Sequence, residues 1–308
     1  MVKSSIQSSD NYVGASIHLV EKITQASLTH LIELLRLKLG QKKVVRLVVT
    51  DDEYQDVEEY ASGVGLSLAH SVSRLKEIEV TATGDRFTTS VDWDDPEGRS
   101  FSVFLGSEKL VQEYAEADSG RFTSNDIGYL LEIPPCCVES YNRLQNGRDW
   151  LSAWLQGVIG DKPFNRYGNH LASYIGTCNL AGDFLPCHIT CRLTIESAHQ
   201  GYEVAKRFRL LPLIDETIRY LTVPVVVVGE NLIFLHGGTK SQEVYSHYEF
   251  KSGAITIQGP DGVSLQQYLR GSNCVKSVPG GVIFGRSGHF NLCPDRDFGQ
   301  RALLLMFL

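Results

Sequence analysis

The chain has 308 residues and a formal net charge of −7, with 43% hydrophobic and 21% charged residues. This length allows two or three domains with proper cores, and the acidic balance excludes nucleic acid or an anionic membrane as the main partner. No run is long and apolar enough to span a bilayer, and the N-terminus carries no secretory signal. We therefore expect a cytoplasmic protein, in which thiols stay reduced and clustered cysteines indicate metal binding or catalysis.

The first part of the chain combines helical and strand patterns. Apolar residues recur at helical spacing from about residue 16 to 39, where Gly40 ends the predicted helix. The β-branched run Val44–Val49 predicts a buried strand, and Thr50 is expected to cap a helix over 51–62.

Three more strands are predicted at 77–83, 87–93 and 101–105. The sequence at 94–98 is rich in Asp, Pro and Gly, so we expect a hairpin between the second and third of these strands. Residues 1–118 are therefore predicted to form a small α/β domain without a glycine-rich phosphate loop.

The central stretch, 119–221, is predicted to be a helical region that carries the metal site. One helical pattern lies just before this stretch, at 108–117. Those within it lie at 124–131, 135–145, 150–158, 166–176, 189–209 and 212–221.

The last stretch, 222–308, reads as β structure. The run 223–235 predicts a hairpin with its turn at Gly229-Glu230-Asn231, and the apolar tail 303–308 predicts a final buried strand. The expected fold class is α+β: a small α/β domain, a helical cysteine-bearing region and a β-rich domain.

The cysteines are concentrated in the central region, which holds five of the seven, from Cys136 to Cys191. Cys136 follows Pro135 and Cys187 follows Pro186. Proline suits the first turn of a helix, where the helix dipole favours a thiolate. We therefore expect both motifs to be helix starts with thiols in the first turn.

The spacing of these thiols indicates a shared metal. Cys187 and Cys191 are four residues apart, which places both on one face of a helix. The neighbours Cys136 and Cys137 diverge by roughly 100° on a helix, so we expect one of them to join the other pair. Its neighbour then either stays free, as a spare ligand or nucleophile, or reaches a different metal atom. Cys178 is a reserve ligand.

Two ligand sets remain open at this point. Three thiolates suit a [4Fe–4S] cluster with one open iron, whereas four suit a closed zinc site or an electron-transfer cluster. Isolated Cys274 and Cys293 are expected to be buried hydrophobes.

Other polar residues nearby are candidates for chemistry. Glu139 is a candidate proton carrier, and Arg192 a candidate partner for a carboxylate or phosphate. We assign catalytic roles to Cys136, Glu139 and Arg192. His188 directly follows Cys187 and is a candidate to face the site, whereas His170 is expected to be a half-buried helix residue. The metal ligands and cofactor-binding residues are then Cys136, Cys137, Cys187 and Cys191.

The segment Ile127–Val138 and the later Leu185-Pro186-Cys187 motif resemble an uncharacterised prokaryotic family. That family carries Leu-Gly-Tyr-Pro-Pro-Cys-Cys and a later His-x-Pro-Cys-x-x-x-Cys motif, and the resemblance covers about residues 101–205. It implies that the same four cysteines form the site and that Cys178 is less important. The chain departs from the pattern at Glu132-Ile133 and at Phe184, which replaces the histidine.

These observations lead to three hypotheses. The first is an iron–sulfur enzyme acting on a small molecule in specialised biosynthesis, by Lewis-acid activation or sulfur transfer at an open cluster iron. The second is a binding or scaffold protein with a structural zinc, and the third is a metal-free cysteine nucleophile. A homo-oligomer is compatible with all three.

Overall fold

The computed structural model describes most of the first 228 residues and shorter stretches of the C-terminal part. The described residues are 11–80, 86–116, 128–144, 150–156, 163–172, 178–228, 231–237, 239–240, 247–249, 255–258, 265–267, 269, 272, 274–278, 281–286, 289–290 and 302–306. Cys293, the first half of the predicted helix 124–131 and the predicted turn at 229–230 lie outside them.

Two helices, α1 (Asn11–Lys22) and α2 (Leu28–Lys38), replace the single helix predicted for 16–39. The prediction of one helix is wrong because Ser27 caps a new one. Its hydroxyl accepts a hydrogen bond from the backbone N–H of Thr29, and the ring of His30 accepts one from the backbone N–H of Ser27. This reciprocal pair satisfies donors that a helix N-terminus leaves free.

The strand and helix predicted next are confirmed as β1 (Val44–Val49) and α3 (Asp51–Val64). Thr50 caps α3 together with Glu53, whose carboxylate accepts a hydrogen bond from the Thr50 backbone N–H at 2.9 Å. The helix ends at Gly65, whose φ of 72° lies in the left-handed region that glycine adopts without strain.

The predicted hairpin around 94–98 is wrong. The strands are β2 (Ser67–His70), β3 (Arg74–Val80), β4 (Arg86–Val91) and β5 (Phe101–Gly106). β5 pairs antiparallel with β1 on one edge and with β2 on the other, giving the order β1-β5-β2. Because both edges of β5 are occupied, β4 pairs with β3 instead.

Both faces of this three-stranded sheet are covered. One face packs against the first three helices; its strand residues are Val45, Leu47, Val49, Phe101, Val103 and Leu105. The other face, with Val44 and Phe104, packs against α4 (Glu108–Glu116).

The central stretch contains α5 (Pro135–Arg143), α6 (Trp150–Trp154), a 3-10 turn at Arg166–Gly168, α7 (Arg192–Arg207) and α8 (Asp215–Tyr220). The helix predicted at 189–209 is α7, which starts three residues later than predicted, at Arg192. Cys187 lies five residues before its start and Cys191 directly before it. α7 packs against α2 in a core that also contains Leu180 and Cys178.

Antiparallel sheets form the described C-terminal part. Their strands are β6 (Val225–Val228), β7 (Asn231–Leu235), β8 (Thr239–Lys240), β9 (His247–Glu249), β10 (Ile255–Gln258), β11 (Cys274–Val278), β12 (Gly281–Arg286), β13 (His289–Phe290) and β14 (Ala302–Leu305). The first sheet has the strand order β10-β7-β6-β14 and the second the order β13-β12-β11-β9-β8. The predicted β6–β7 pairing is confirmed, and the apolar tail pairs with β6.

The sheet formed by β10, β7, β6 and β14 is buried on both faces. Val225 and Val227 face a core that contains Trp154 and Ile189 of the central stretch. Val226 and Val228 face the second C-terminal sheet. The protein is therefore of the α+β class, as predicted, while the division into three domains stays a prediction. None of the described helices is long and apolar enough to cross a membrane.

Candidate metal centre

Cys136 and Cys137 lie in the first turn of α5, as predicted. Pro134 is the N-cap of this helix and Pro135 its first residue, where a missing N–H costs nothing. The residues just before the helix anchor it, because Leu130 and Leu131 pack against the core formed by α4 and the N-terminal sheet.

Gly128 allows this segment to fold back on α5. A Cβ at Gly128 would lie 2.6 Å from a methyl carbon of Val138, which is closer than real Cβ atoms approach. Because Gly128 has no side chain, the segment before α5 packs directly against Val138 of that helix.

Cys187 and Cys191 come from a different part of the fold. Cys187 lies in the turn that precedes α7, and Cys191 is the N-cap of that helix. Between them, Ile189 packs against the C-terminal sheet and donates its backbone N–H to the carbonyl of Trp154 at 3.2 Å. The expectation that both cysteines share one helical turn is wrong, because these tertiary contacts hold residues 187–190 outside the helix.

The four cysteines nevertheless converge. Their sulfur atoms all lie within 4.8 Å of one another. The distances are 3.7 Å between Cys136 and Cys191, 3.9 Å between Cys137 and Cys191, and 4.0 Å between Cys136 and Cys137. Four thiols at this spacing form a group that can hold a metal ion.

The vicinal pair departs from the prediction that one of its sulfurs stays apart. Neighbouring residues on a helix hold their Cβ atoms only about 5 Å apart, because the divergence of 100° acts over a small radius. Rotation about the Cα–Cβ bond then brings the two sulfur atoms to 4.0 Å. Both Cys136 and Cys137 therefore belong to the group.

Polar groups contact the sulfur of Cys137, and two helix N-termini face the cluster. The backbone N–H of Cys187 lies 3.4 Å from the sulfur of Cys137, and the hydroxyl of the buried Thr194 lies 3.4 Å from the same atom. The N-termini of α5 and α7 also meet at the cluster, and each contributes the positive end of a helix dipole.

The thiols also act on one another. Hydrogen bonds from Cys137 and Cys187 lower the pKa of the Cys191 thiol well below its ordinary value. The same bonding raises the pKa of Cys187, because its thiol serves as the donor, and burial raises it further. The negative charge of the cluster is therefore concentrated on Cys191, while Cys187 keeps its proton.

Access to the centre is uneven. Cys137 and Cys191 are 1% and 8% exposed, whereas Cys136 and Cys187 are only half-buried. The cluster thus reaches solvent on the side of Cys136 and Cys187.

The other cysteine and histidine candidates lie elsewhere or have other partners. Cys178 is buried in the core shared by α2 and α7, with its backbone N–H bonded to the hydroxyl of Thr217 at 3.1 Å. His188 uses both ring nitrogens, one with Thr190 at 2.8 Å and the other with the carbonyl of Gln156 at 2.9 Å. Neither belongs to the sulfur group.

The two charged residues assigned catalytic roles lie on helix surfaces. Glu139 is exposed on α5. Arg192 follows Cys191 directly, but its side chain is 88% exposed and bonds to Glu196 one turn along α7 at 2.7 Å. The catalytic roles of both residues stay predictions.

Sequence reasoning missed Thr194 as a partner of the cluster. The available signal was its position three residues after Cys191, which places its hydroxyl in the first turn of the same helix. Thr194 also lines a small cavity whose walls are both apolar and polar, with Leu180, Ala198, His170 and Thr217 among its other lining residues. The side chain of Thr194 therefore contacts the sulfur group and also borders this cavity.

Comparison with known proteins adds nothing to this geometry. No protein-family model, curated protein or solved structure matches the chain. The function must therefore be argued from the site itself, and the resemblance at residues 101–205 stays a prediction.

Proposed function

We propose that this chain binds one zinc ion through the thiolates of Cys136, Cys137, Cys187 and Cys191, and that the ion holds distant parts of the fold together. The observation that carries the proposal is the spacing of the sulfur atoms. A tetrahedral zinc ion with Zn–S bonds of about 2.3 Å places its sulfurs about 3.8 Å apart. The three distances of 3.7, 3.9 and 4.0 Å match that edge.

The same spacing argues against a larger inorganic centre. In a four-iron cluster each iron carries one cysteine, so the body of the cluster separates the ligand sulfurs by roughly 6 Å. All four sulfurs here lie within 4.8 Å of one another. A single ion fits between them without moving the helices, whereas a cluster requires the group to expand.

The charge of the site supports the same assignment. Four thiolates and one Zn²⁺ carry a net charge of about −2. The N-termini of α5 and α7 each contribute about half a positive charge, so the two helices together offset about half of this excess. The hydroxyl of Thr194 and the N–H of Cys187 supply hydrogen bonds to Cys137, as partners of metal ligands commonly do.

The location of the site supports a structural role. The segment that carries Cys136 and Cys137 is anchored to the N-terminal sheet through Leu130 and Leu131. The turn before Cys191 is anchored to the C-terminal sheet through Ile189, and α7 itself packs on α2. One ion bound by all four thiolates would tie these cores together.

Metal analysis of the purified full-length chain tests the proposal. We expect one zinc per chain and, after replacement by cobalt, the intense visible bands of a tetrahedral cobalt thiolate. Cys137→Ser should lower the zinc content at least tenfold, because its sulfur is the most enclosed of the four. Cys178→Ser is the matched control and should keep one zinc per chain, since Cys178 is equally buried but lies in a different core. Folded, reduced protein that binds neither zinc nor cobalt would refute the proposal.

A second candidate is the iron–sulfur enzyme acting on a small molecule in biosynthesis. The observation that favours it is the partial exposure of Cys136 and Cys187, which leaves one side of the centre open to solvent and to a substrate. Anaerobic purification separates the two candidates. Brown protein with about four iron and four acid-labile sulfide per chain supports the enzyme, and colourless protein with one zinc supports the structural site.

A further inference from the structure

The four-thiolate site is enclosed on one side and open on the other, and this asymmetry has a chemical consequence. Resting on the zinc site proposed above, we propose that Cys136 is a site of oxidative modification: an oxidant of the peroxide class attacks there, a disulfide forms to Cys191, and the zinc is released. A structural zinc site alone does not determine which of its sulfur atoms reacts first or which one forms the disulfide.

Exposure and distance select Cys136 as the first sulfur to react. It is half-buried, whereas Cys137 and Cys191 are 1% and 8% exposed. Its sulfur also lies 3.7 Å from that of Cys191, the second sulfur of the disulfide. Cys187 is half-buried as well, and the disulfide mapping described below distinguishes it from Cys136.

Distance and ring geometry select Cys191 as the second sulfur. It lies 3.7 Å from Cys136, and a disulfide requires about 2.05 Å, so the two sulfur atoms must approach by about 1.7 Å. Cys137 is 4.0 Å away but is the next residue. A disulfide between neighbours closes a small ring that strains the peptide bond, and α5 holds that bond in regular helical geometry.

The reaction balances with one molecule of hydrogen peroxide. The Cys136 thiolate attacks one oxygen, the O–O bond breaks, and a sulfenic acid and a hydroxide ion result. The Cys191 thiolate then attacks the sulfur of Cys136, the S–O bond breaks, and a second hydroxide leaves as the disulfide forms. The two sulfurs lose two electrons, the peroxide gains them, and two protons from solvent convert the hydroxides to water.

Zinc release follows from the loss of ligands. The disulfide removes two of four thiolates, and Cys137 and Cys187 alone do not complete a tetrahedral site. The new bond joins the N-termini of α5 and α7, which the ion joined before. The oxidised chain should therefore keep these helices together, unlike a chain from which a chelator has removed the metal.

The experiment uses the zinc-loaded full-length chain and hydrogen peroxide, with released zinc measured by a chromogenic chelator and disulfides mapped by peptide mass spectrometry. We expect release of one zinc per chain together with a Cys136–Cys191 disulfide, both reversed by a dithiol and added zinc. Release with a disulfide that involves Cys187, or oxidation of Cys178 before any zinc is lost, overturns the inference.

Variants separate this inference from the zinc proposal. Cys136→His keeps a zinc ligand but removes the oxidisable sulfur, so zinc release by peroxide should slow at least tenfold; an unchanged rate overturns the role of Cys136. Cys178→Ala should release zinc as the wild type does. If the purified chain binds no zinc, both proposals fail; if it binds zinc and the map lacks the Cys136–Cys191 bond, only the oxidation proposal fails.

Discussion

Gly201 determines how closely α7 packs against the turn at Leu180. A Cβ at this position would lie 2.1 Å from the carbonyl oxygen of Leu180 and 3.1 Å from its carbonyl carbon. Both neighbours belong to the backbone, so no side-chain rotation relieves the clash. In Gly201→Ala, α7 or the turn would have to move by about 1 Å, in a core that is packed to near crystal density.

The expected loss of stability follows from two opposing effects. Alanine gains about 1 kcal/mol over glycine inside a helix. Forcing an extra carbon into a filled core costs about 1–3 kcal/mol, and the cost should be at the upper end here because backbone must move and Ala198 and Ala205 share the same core. We expect the free energy of unfolding to fall by about 2 kcal/mol, which combines this upper-end cost with the helix gain.

Gly14→Ala is the matched control for this change. Gly14 lies inside α1, and a Cβ there would meet nothing within 4 Å. The same substitution should raise the free energy of unfolding by about 0.5–1 kcal/mol. Urea denaturation of the two purified variants and the wild type measures both values. If Gly201→Ala is as stable as Gly14→Ala, the close packing of α7 on Leu180 is wrong.

Three further predictions concern buried groups. Burial lowers the pKa of His170 from 6.5 to about 4, so on acidification the unfolded chain binds a proton before the folded chain does. The free energy of unfolding should therefore be level above pH 6.5 and fall by up to about 1.4 kcal/mol per pH unit towards pH 4. Urea titrations should show this slope in wild type and lose it in His170→Gln. Thr194→Val should weaken zinc binding about tenfold in a competition assay, whereas Thr194→Ser should not, because the hydroxyl at 3.4 Å from Cys137 is retained. Trp154→Ala should lower the free energy of unfolding by about 3–5 kcal/mol, since its side chain is fully buried, while Trp93→Ala, at 38% exposure, should lower it far less; urea denaturation of both variants measures the difference.

Local signals in the sequence predicted part of the fold. Thr50 and Glu53 form a capping box with short-range contacts, and the run of valines before Asn231 has few alternatives to a hairpin strand. The pairing of β4 was not predictable in this way. The turn at 94–98 suggests that β4 pairs with β5, the strand that follows the turn. β1 and β2 occupy both edges of β5 instead, and β1 is distant from it in sequence.

The same division holds at the cysteine site. The prolines before Cys136 predicted a helix start, because a short-range rule governs where proline is tolerated. The similar proline before Cys187 also predicted a helix start, but Cys187 lies in a turn before α7. There the burial of Ile189 against the C-terminal sheet and the bond from His188 to Gln156 decide the backbone, and neither partner is near in sequence. Residue type and spacing predicted that a sulfur from the pair Cys136 and Cys137 meets those of Cys187 and Cys191, while the presence of both sulfurs of that pair in one group was not expected.

The two pairs of cysteines are anchored in different cores, and this predicts how the chain should respond to binding and loss of the proposed zinc ion. Cys136 and Cys137 follow the segment held by the N-terminal sheet, and Cys187 precedes the turn held by the C-terminal sheet. An ion bound by all four transmits the stability of one core to the other, so the zinc-loaded chain should unfold in a single calorimetric transition.

After chelation each core keeps its own apolar contacts but loses that connection. We therefore expect the transition to move to lower temperature and to split or broaden, with a calorimetric enthalpy larger than the van't Hoff enthalpy. Restoring one zinc per chain should restore the single transition, whereas added magnesium, which prefers oxygen ligands, should not. A chelated chain that still melts in one sharp transition at the original temperature would contradict the idea that the ion connects the cores, because coupling that survives without the ion must come from the apolar contacts alone.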